Sequence, residues 1–429
     1  MQLKNNDLIG IIYIILISIT GLIPNYGALD RIAPQWLYLS CLNFYGIVYL
    51  FSRKDFEVQI KRVFRFKPFI FISIFIVWGL LSYFYSINQD EVIVKFVRWI
   101  NIPAAILITS TLISKFSFNP IKFIAYIFCL VLVVELFFSY KTYFDIIGVT
   151  KYNFSLAWIL KGATANKNIT AASVLIKIPL IFYLIQNSKS QILKTIYSIL
   201  IFSTVYLVLI LSARASIISI ILISISLVVG YLVKLKLNPQ NKLFDPTLYI
   251  ILPFIFSISL FQLQFSNDNS ASLQSRVSTI NQEDKSVQQR LRYYEHSFNQ
   301  IISNPLIGAG SGNWKIKSID YDKDKIKGYI VPYHTHNDFL EFGAELGIPG
   351  LLLYLSIFIY SFFILGKRII YDLHKNDFIS ISVLILMGGI IYFIDANLNF
   401  PHARPVMQIP FIIYISMLFY SKSLKNENL

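Results

Sequence analysis

The chain has 429 residues, 55% of them hydrophobic and only 14% charged, with a mean hydropathy of +0.60 and a net charge of +15. A soluble protein carries about a quarter charged residues, so the composition excludes an ordinary soluble globule and indicates a lipid-facing surface. The positive excess is read as a topological signal rather than a nucleic-acid surface, and placing the charges tests that reading.

Met1–Asp7 followed by the apolar run Leu8–Pro24 has the outline of a signal peptide. With no small-residue cleavage site after it and many further spans, it reads as an uncleaved first span. Apolar runs then recur at 34–52, 69–86, 92–114, 123–140, 169–187, 195–211, 215–233, 248–264, 347–366, 378–395 and 406–421. Such runs cross a ~30 Å hydrocarbon core at ~1.5 Å per helical residue. They show no strand alternation, and lipid admits only helices or closed barrels. The expected fold is an all-α polytopic membrane protein of about twelve spans. Cys41 and Cys129 fall inside spans and read as packing residues. The chain divides into N-terminal transmembrane helices (1–150), transmembrane helices with an Arg214 turn (151–264), one large hydrophilic loop (265–346) and C-terminal transmembrane helices (347–429).

With the N-terminus cytoplasmic, the inward segments hold 19 Lys and Arg and the short outward loops seven: Arg31, Lys141, Lys151, Lys161, Lys167, Arg214 and Arg404. The positive-inside rule therefore sets both termini inside and the long loop outside. Arg214, Lys161–Asn168 and His402-Ala403-Arg404 fall on that same outer face.

Within the loop, 265–285 is rich in Ser, Asn, Gln and Asp and reads as flexible. Leu291, Tyr294, Phe298 and Ile301 recur at helical spacing from Val287 to Ser303, and Asn304-Pro305 ends that helix. Gly308-Ala309-Gly310-Ser311-Gly312 reads as a flexible turn; no strand precedes it, which excludes a dinucleotide-binding loop. A charged excursion, Lys315–Lys327, follows. Thr335-His336-Asn337-Asp338 reads as a helix start, with Thr335 the N-cap and Asp338 completing a variant capping box. His336 would then sit in the first turn, kept neutral by the helix dipole. Asp338, Glu341 and Glu345 form an acidic stripe on another face. Alternatives to a catalytic His336 are a capping or interfacial histidine, and a metal site with His334 that lacks an evident third ligand. One face thus offers a base, His336, and arginines, Arg214 and Arg290, with Arg276 and Arg292 in reserve. An arginine fork matches phosphate oxygens and keeps its charge, which suits a diphosphate leaving group and needs neither nucleotide nor metal.

His336-Asn337, nine residues, then Gly347-Ile348-Pro349-Gly350 resembles the H-[NSQ]-x9-G-x-x-G signature of O-antigen ligases. Arg290-Leu291-Arg292-Tyr293-Tyr294 with Asn304–Gly310 resembles the family's R-x-x-x-W…NPL-x-G-x-G block, Tyr294 standing where tryptophan is common. Ser212-Ala213-Arg214 resembles its S-R turn, and Gly162–Asn168 with Ala171-Ala172 its N-x-N…A segment. The resemblance covers roughly 160–400, and O-antigen polymerases and bacterial O-oligosaccharyltransferases share it. It implies a metal-independent, inverting GT-C-type transferase in the bacterial inner membrane, with a periplasmic active site and an undecaprenyl-diphosphate glycan donor. By position, His336 resembles the acceptor-activating base and Arg214 and Arg290 the diphosphate-binding pair. Arg276, Arg292, Asn337, His334 and Asn168 are auxiliary candidates; no cofactor, metal or nucleic acid is expected. Ligation to lipid A-core is the first expectation, ahead of polymerisation of glycan repeats and transfer to protein. A lipid-linked glycan flippase is the reading from another class. It is disfavoured because no internal repeat is visible and only Lys95, Arg98 and Lys177 put charge into the spans.

Overall fold

The computed structural model describes residues 5–164, 166–237, 246–265, 285–326, 331–374 and 379–426. Among these, all regular structure is helical. In chain order the α-helices are α1 (Asn5–Ser18), α2 (Ala33–Phe51), α3 (Glu57–Phe64), α4 (Lys67–Leu81), α5 (Gln89–Trp99), α6 (Asn101–Ile113), α7 (Pro120–Ile147), α8 (Lys167–Leu175) and α9 (Ile178–Gln186). They continue as α10 (Gln191–Leu211), α11 (Arg214–Leu237), α12 (Leu248–Gln264), α13 (Lys285–Ser303), α14 (Trp314–Asp322), α15 (Asp338–His374), α16 (Ile381–Leu398) and α17 (Pro405–Asn426).

Eight helical segments among the described residues are long and apolar enough to cross a membrane, and Asp7–Leu22 and Leu248–Gln264 are shorter apolar helices. The protein is an all-α polytopic membrane protein, as composition implied. The two remaining expected spans, 34–52 and 406–421, coincide with α2 and α17, of 19 and 22 residues. Helix α2 is less apolar because it carries polar groups that tie helices together. Gln35 Nε2 donates to the Gly21 and Ile23 carbonyls, and Asn43 joins the Tyr13 hydroxyl to Asn101. Lipid tails are as apolar as the side chains, so packing and such interhelical hydrogen bonds hold the bundle rather than a hydrophobic drive.

Two expected single spans are broken where proline removes a backbone donor. The run 92–114 is α5 and α6, parted at Ile100 ahead of Pro103; the run 169–187 is α8 and α9, parted ahead of Pro179. At the second break the Ile176 carbonyl accepts the Tyr414 hydroxyl at 2.8 Å, so the freed acceptor is satisfied. Helix α15 packs against α4, α13 and α16, while α16 in turn touches α8, α9, α11 and α17. Helix α13 in turn packs on α14 and α15.

Candidate functional site

The site is built on a break in α15. Gly347 has φ 69° and ψ −173°, and Pro349 lacks an N–H, so the carbonyls of the preceding turn lose their helical donors. Replacements come from elsewhere. Ala309 N–H donates to Ala344 O at 2.9 Å, Gly310 N–H to Glu345 O at 2.8 Å and Trp78 Nε1–H to Leu346 O at 3.0 Å, while Ile348 N–H is turned onto Pro305 O at 2.7 Å. The two backbones touch: a Cβ on Gly347 would lie 2.5 Å from the Leu306 carbonyl carbon, and one on Gly308 2.4 Å from that of Glu345. The Gly308–Gly312 turn, expected to be flexible, is instead docked as a backbone ladder, because the kinked helix needs its donors.

Upstream, Asn337 and not Thr335 caps α15: its Oδ1 accepts the Leu340 N–H at 3.0 Å and its carbonyl the Glu341 N–H at 2.9 Å. Thr335 is occupied differently, its buried hydroxyl 3.0 Å from Ser297 Oγ on α13. His336 therefore precedes the first turn, at φ 61°, a left-handed conformation that a side chain adopts only when its surroundings enforce it. They do so from both sides, since the Tyr294 hydroxyl also reaches the His336 carbonyl at 3.1 Å. The ring meets Phe400 edge-on with centroids 5.1 Å apart, and its buried Nδ1 has no hydrogen-bond partner among the described residues. Burial, then the Arg290 charge, then His334 push its pKa down to about 4 against a smaller opposing effect of Glu341. The ring is neutral, as expected, for a different reason: desolvation and Arg290 act where the helix dipole was assigned the role.

The acidic stripe faces inward. Glu341 receives His334 Nδ1 at 3.2 Å, His402 Nε2 at 3.3 Å and the Thr335 N–H at 3.1 Å. Asp338 receives His402 Nδ1 at 2.7 Å, and Glu345 receives Lys95 at 2.5 Å. Burial alone would lower the His402 pKa, but two facing carboxyl groups raise it to about 9. At neutral pH His402 is an imidazolium donating from both nitrogens. His334, Glu341 and His402 put one ligand atom each within 4.8 Å of one another, a set that could hold a cation. The Lys95 ammonium lies 3.6 Å from Glu341 in the same set.

The other candidates separate. Arg290 lies one turn before Tyr294 on α13, close enough for its charge to act on His336. Arg214 opens α11, directly after a turn in which Ser212 adopts φ 52° to end α10. Its helix packs on α8 and α16, and the end of α16 offers its Asn397 carbonyl to Tyr294 at 3.3 Å. Arg292 is held by Asp322, Nε to Oδ1 at 2.7 Å and Nη2 to Oδ2 at 3.2 Å, so its fork is taken. Asn168 starts α8 and gives its N–H to the capping Asn166. His334 is stacked on Phe400 at 4.3 Å and bound to Glu341. Arg276 lies outside the described residues. Beside this cluster opens a cavity of about 670 Å³ lined by Lys95, Trp99, Lys315, His334, His402 and Arg404 among others, within the ~300–1,000 Å³ of ligand clefts.

His402, Lys95 and Phe400 were missed as site residues. Their signal lay in the charge placement, which put His402-Ala403-Arg404 on the outer face, and in Lys95, a costly cation in a span that demands a partner.

Residues 198–355 match the family model described as O-Antigen ligase. The chain is 23% identical over 397 residues to a ComP-specific O-oligosaccharyltransferase of Acinetobacter baylyi, covering 90% of this chain and 62% of that protein's length. It is 25% identical over 366 residues to a Rickettsia typhi protein provisionally named a polysaccharide ligase, covering 80% and 83%. A similarly named Rickettsia conorii protein is 34% identical over 99 residues, 22% of each chain. The resemblance read from the motifs is borne out.

Proposed function

Taking the match of residues 198–355 to O-antigen ligases as premise, we propose that this protein is a glycosyltransferase of the bacterial inner membrane. It moves a glycan from undecaprenyl diphosphate to an acceptor hydroxyl on the periplasmic face, and ligation to lipid A-core is the favoured reaction. The observation that carries this reading is His336: a neutral, buried imidazole with an unpartnered Nδ1, beside the cationic Arg290.

In the proposed step, His336 takes the acceptor hydroxyl proton as that oxygen bonds to the anomeric carbon. The bond from that carbon to the phosphate oxygen breaks, and the lipid diphosphate leaves with the electron pair. Arg290 and Arg214 receive the leaving charge. Arg214 suits this because it stands at a helix N-terminus, where the backbone also favours an anion. A pKa of about 4 makes free His336 a weak base. A diphosphate bound at Arg290 cancels the second of the influences that depress it, so donor binding itself strengthens the base. Inversion and metal independence belong to the proposal. The count of lysines and arginines supports placing the 265–346 segment in the periplasm.

Purified protein supplied with an undecaprenyl-diphosphate glycan and, separately, lipid A-core, a second donor molecule or a peptide tests the reading. Extension of lipid A-core is expected, with kcat lower by about 10²–10⁴ in His336→Ala. Extension of the second donor or the peptide names polymerisation or protein transfer instead. Unimpaired extension by His336→Ala overturns the mechanism, and loss of activity with chelator overturns metal independence.

A further inference from the structure

A second cavity, of about 550 Å³, lies between the ends of α1, α7 and α17, at the ends that the charge count assigns to the outer face. Four basic side chains line it, Arg31, Lys141, Lys161 and Arg404, against one carboxylate, Asp145. Three cations that line only the neighbouring 670 Å³ cavity are matched: Lys95 with Glu345, Arg98 with Asp30, Lys315 with Glu91. Among the described residues, none of the four around the second cavity forms an ion pair. Arg404 Nε is buried without a hydrogen-bond partner, although buried donors are nearly always satisfied. Leu22, Pro24, Phe138 and Val406 give the same cavity an apolar stretch of wall.

We propose that Arg31, Lys141, Lys161 and Arg404 form an anion-binding subsite that holds a phosphate or carboxylate group of the acceptor glycolipid. Its position fits a second substrate. Arg31 and Arg404 line both cavities, so an anion between them lies where the two spaces meet. The Arg404 guanidinium sits 5.1 Å over the Phe400 ring, the same ring that His336 meets edge-on. An acceptor anchored at Arg404 is thus one aromatic ring from the base, and the apolar wall suits its lipid portion. The inference rests on the transferase reading, but binding tests it without transfer.

Full-length protein in phosphatidylcholine nanodiscs is titrated, with no donor present, with a soluble oligosaccharide bearing a phosphate monoester and with the same oligosaccharide after phosphatase treatment. Tighter binding of the phosphorylated form is expected, weakened about tenfold in Arg404→Gln, the equivalent of one lost charge-assisted contact. Arg404→Lys should recover part of it, and Arg31→Gln, at an exposed position, should weaken it without loss of thermal stability. In turnover, Arg404→Gln should raise the acceptor KM about tenfold and leave the donor KM unchanged. Equal binding of the two oligosaccharides, or a donor KM that rises instead, overturns the subsite. An Arg404→Gln effect that appears only when phosphatidylglycerol is added, whatever the acceptor, assigns the cavity to a bilayer lipid and also overturns it. Intact binding with no transfer to any acceptor sinks the transferase reading and leaves the subsite standing.

Discussion

Two histidines of the site, His336 against Phe400 and His402 beside His334, are driven to opposite protonation states by their neighbours. His336 faces an arginine and has no carboxylate bonded to it, and its pKa falls to about 4; His402 is gripped by Asp338 and Glu341, and its pKa rises to about 9. For His336, Arg290→Gln removes a depressing charge, so the pKa rises. The acid limb of kcat/KM, expected near pH 4 in the parent, should move to higher pH in that variant, while donor binding weakens. An unmoved limb would show that another group titrates. For His402 the folded pKa lies above the ordinary 6.5. Its stabilisation is therefore fully present below about pH 6.5 and is lost as pH rises through about 9. The gap corresponds to about 3 kcal/mol. Thermal unfolding in detergent should show stability falling across that window, and His402→Gln should flatten the profile. A flat profile in the parent would remove the imidazolium from the account.

At the scale of elements, the motif spacing has a mechanical reading. The glycines at 308 and 347 are required because two backbones meet there, and the nine residues after Asn337 are the length of helix between its cap and its break. Gly347→Ala combines a left-handed strain of about 1–3 kcal/mol with a Cβ lodged against the Leu306 backbone. It should lower the unfolding temperature sharply, and transfer with it, whereas Gly366→Ala, which meets nothing within 4 Å, should do neither. Equal melting of the two variants would separate the signature from this docking. The sequence made α13 legible because its apolar residues keep strict helical spacing. It made the Gly308–Gly312 ladder illegible, because a run of glycines looks the same whether free or docked; the partner carbonyls lie some 35 residues away. The cap failed similarly: Thr335 and Asn337 are both good caps, and only the Ser297 contact from another helix decides between them.

Across the whole molecule, the charges that looked anomalous in spans are all answered by long-range partners. Lys177 is enclosed by both Glu135 oxygens and Ser173, Lys95 by Glu345, Arg98 by Asp30. A conducting path would need polar groups that water or substrate can reach; Lys177 and Glu135 are instead buried and saturated by each other, an arrangement suited to fixing α7 against α8. Composition made the class legible. It could not reveal which cations were paired, since every partner is distant in sequence. The sidedness on which the proposed chemistry depends came from counting lysines and arginines, and it can be tested directly. Asp320 on α14 and Lys61 on α3 are well exposed, at 68% and 67%, and the charge count sets them on opposite faces. With Cys41 and Cys129 changed to serine, Asp320→Cys should react with a membrane-impermeant maleimide in intact spheroplasts. Lys61→Cys should react only after permeabilisation. The reverse pattern would turn the bundle over, put His336 and Arg214 on the cytoplasmic side, and leave the periplasmic reaction without a site.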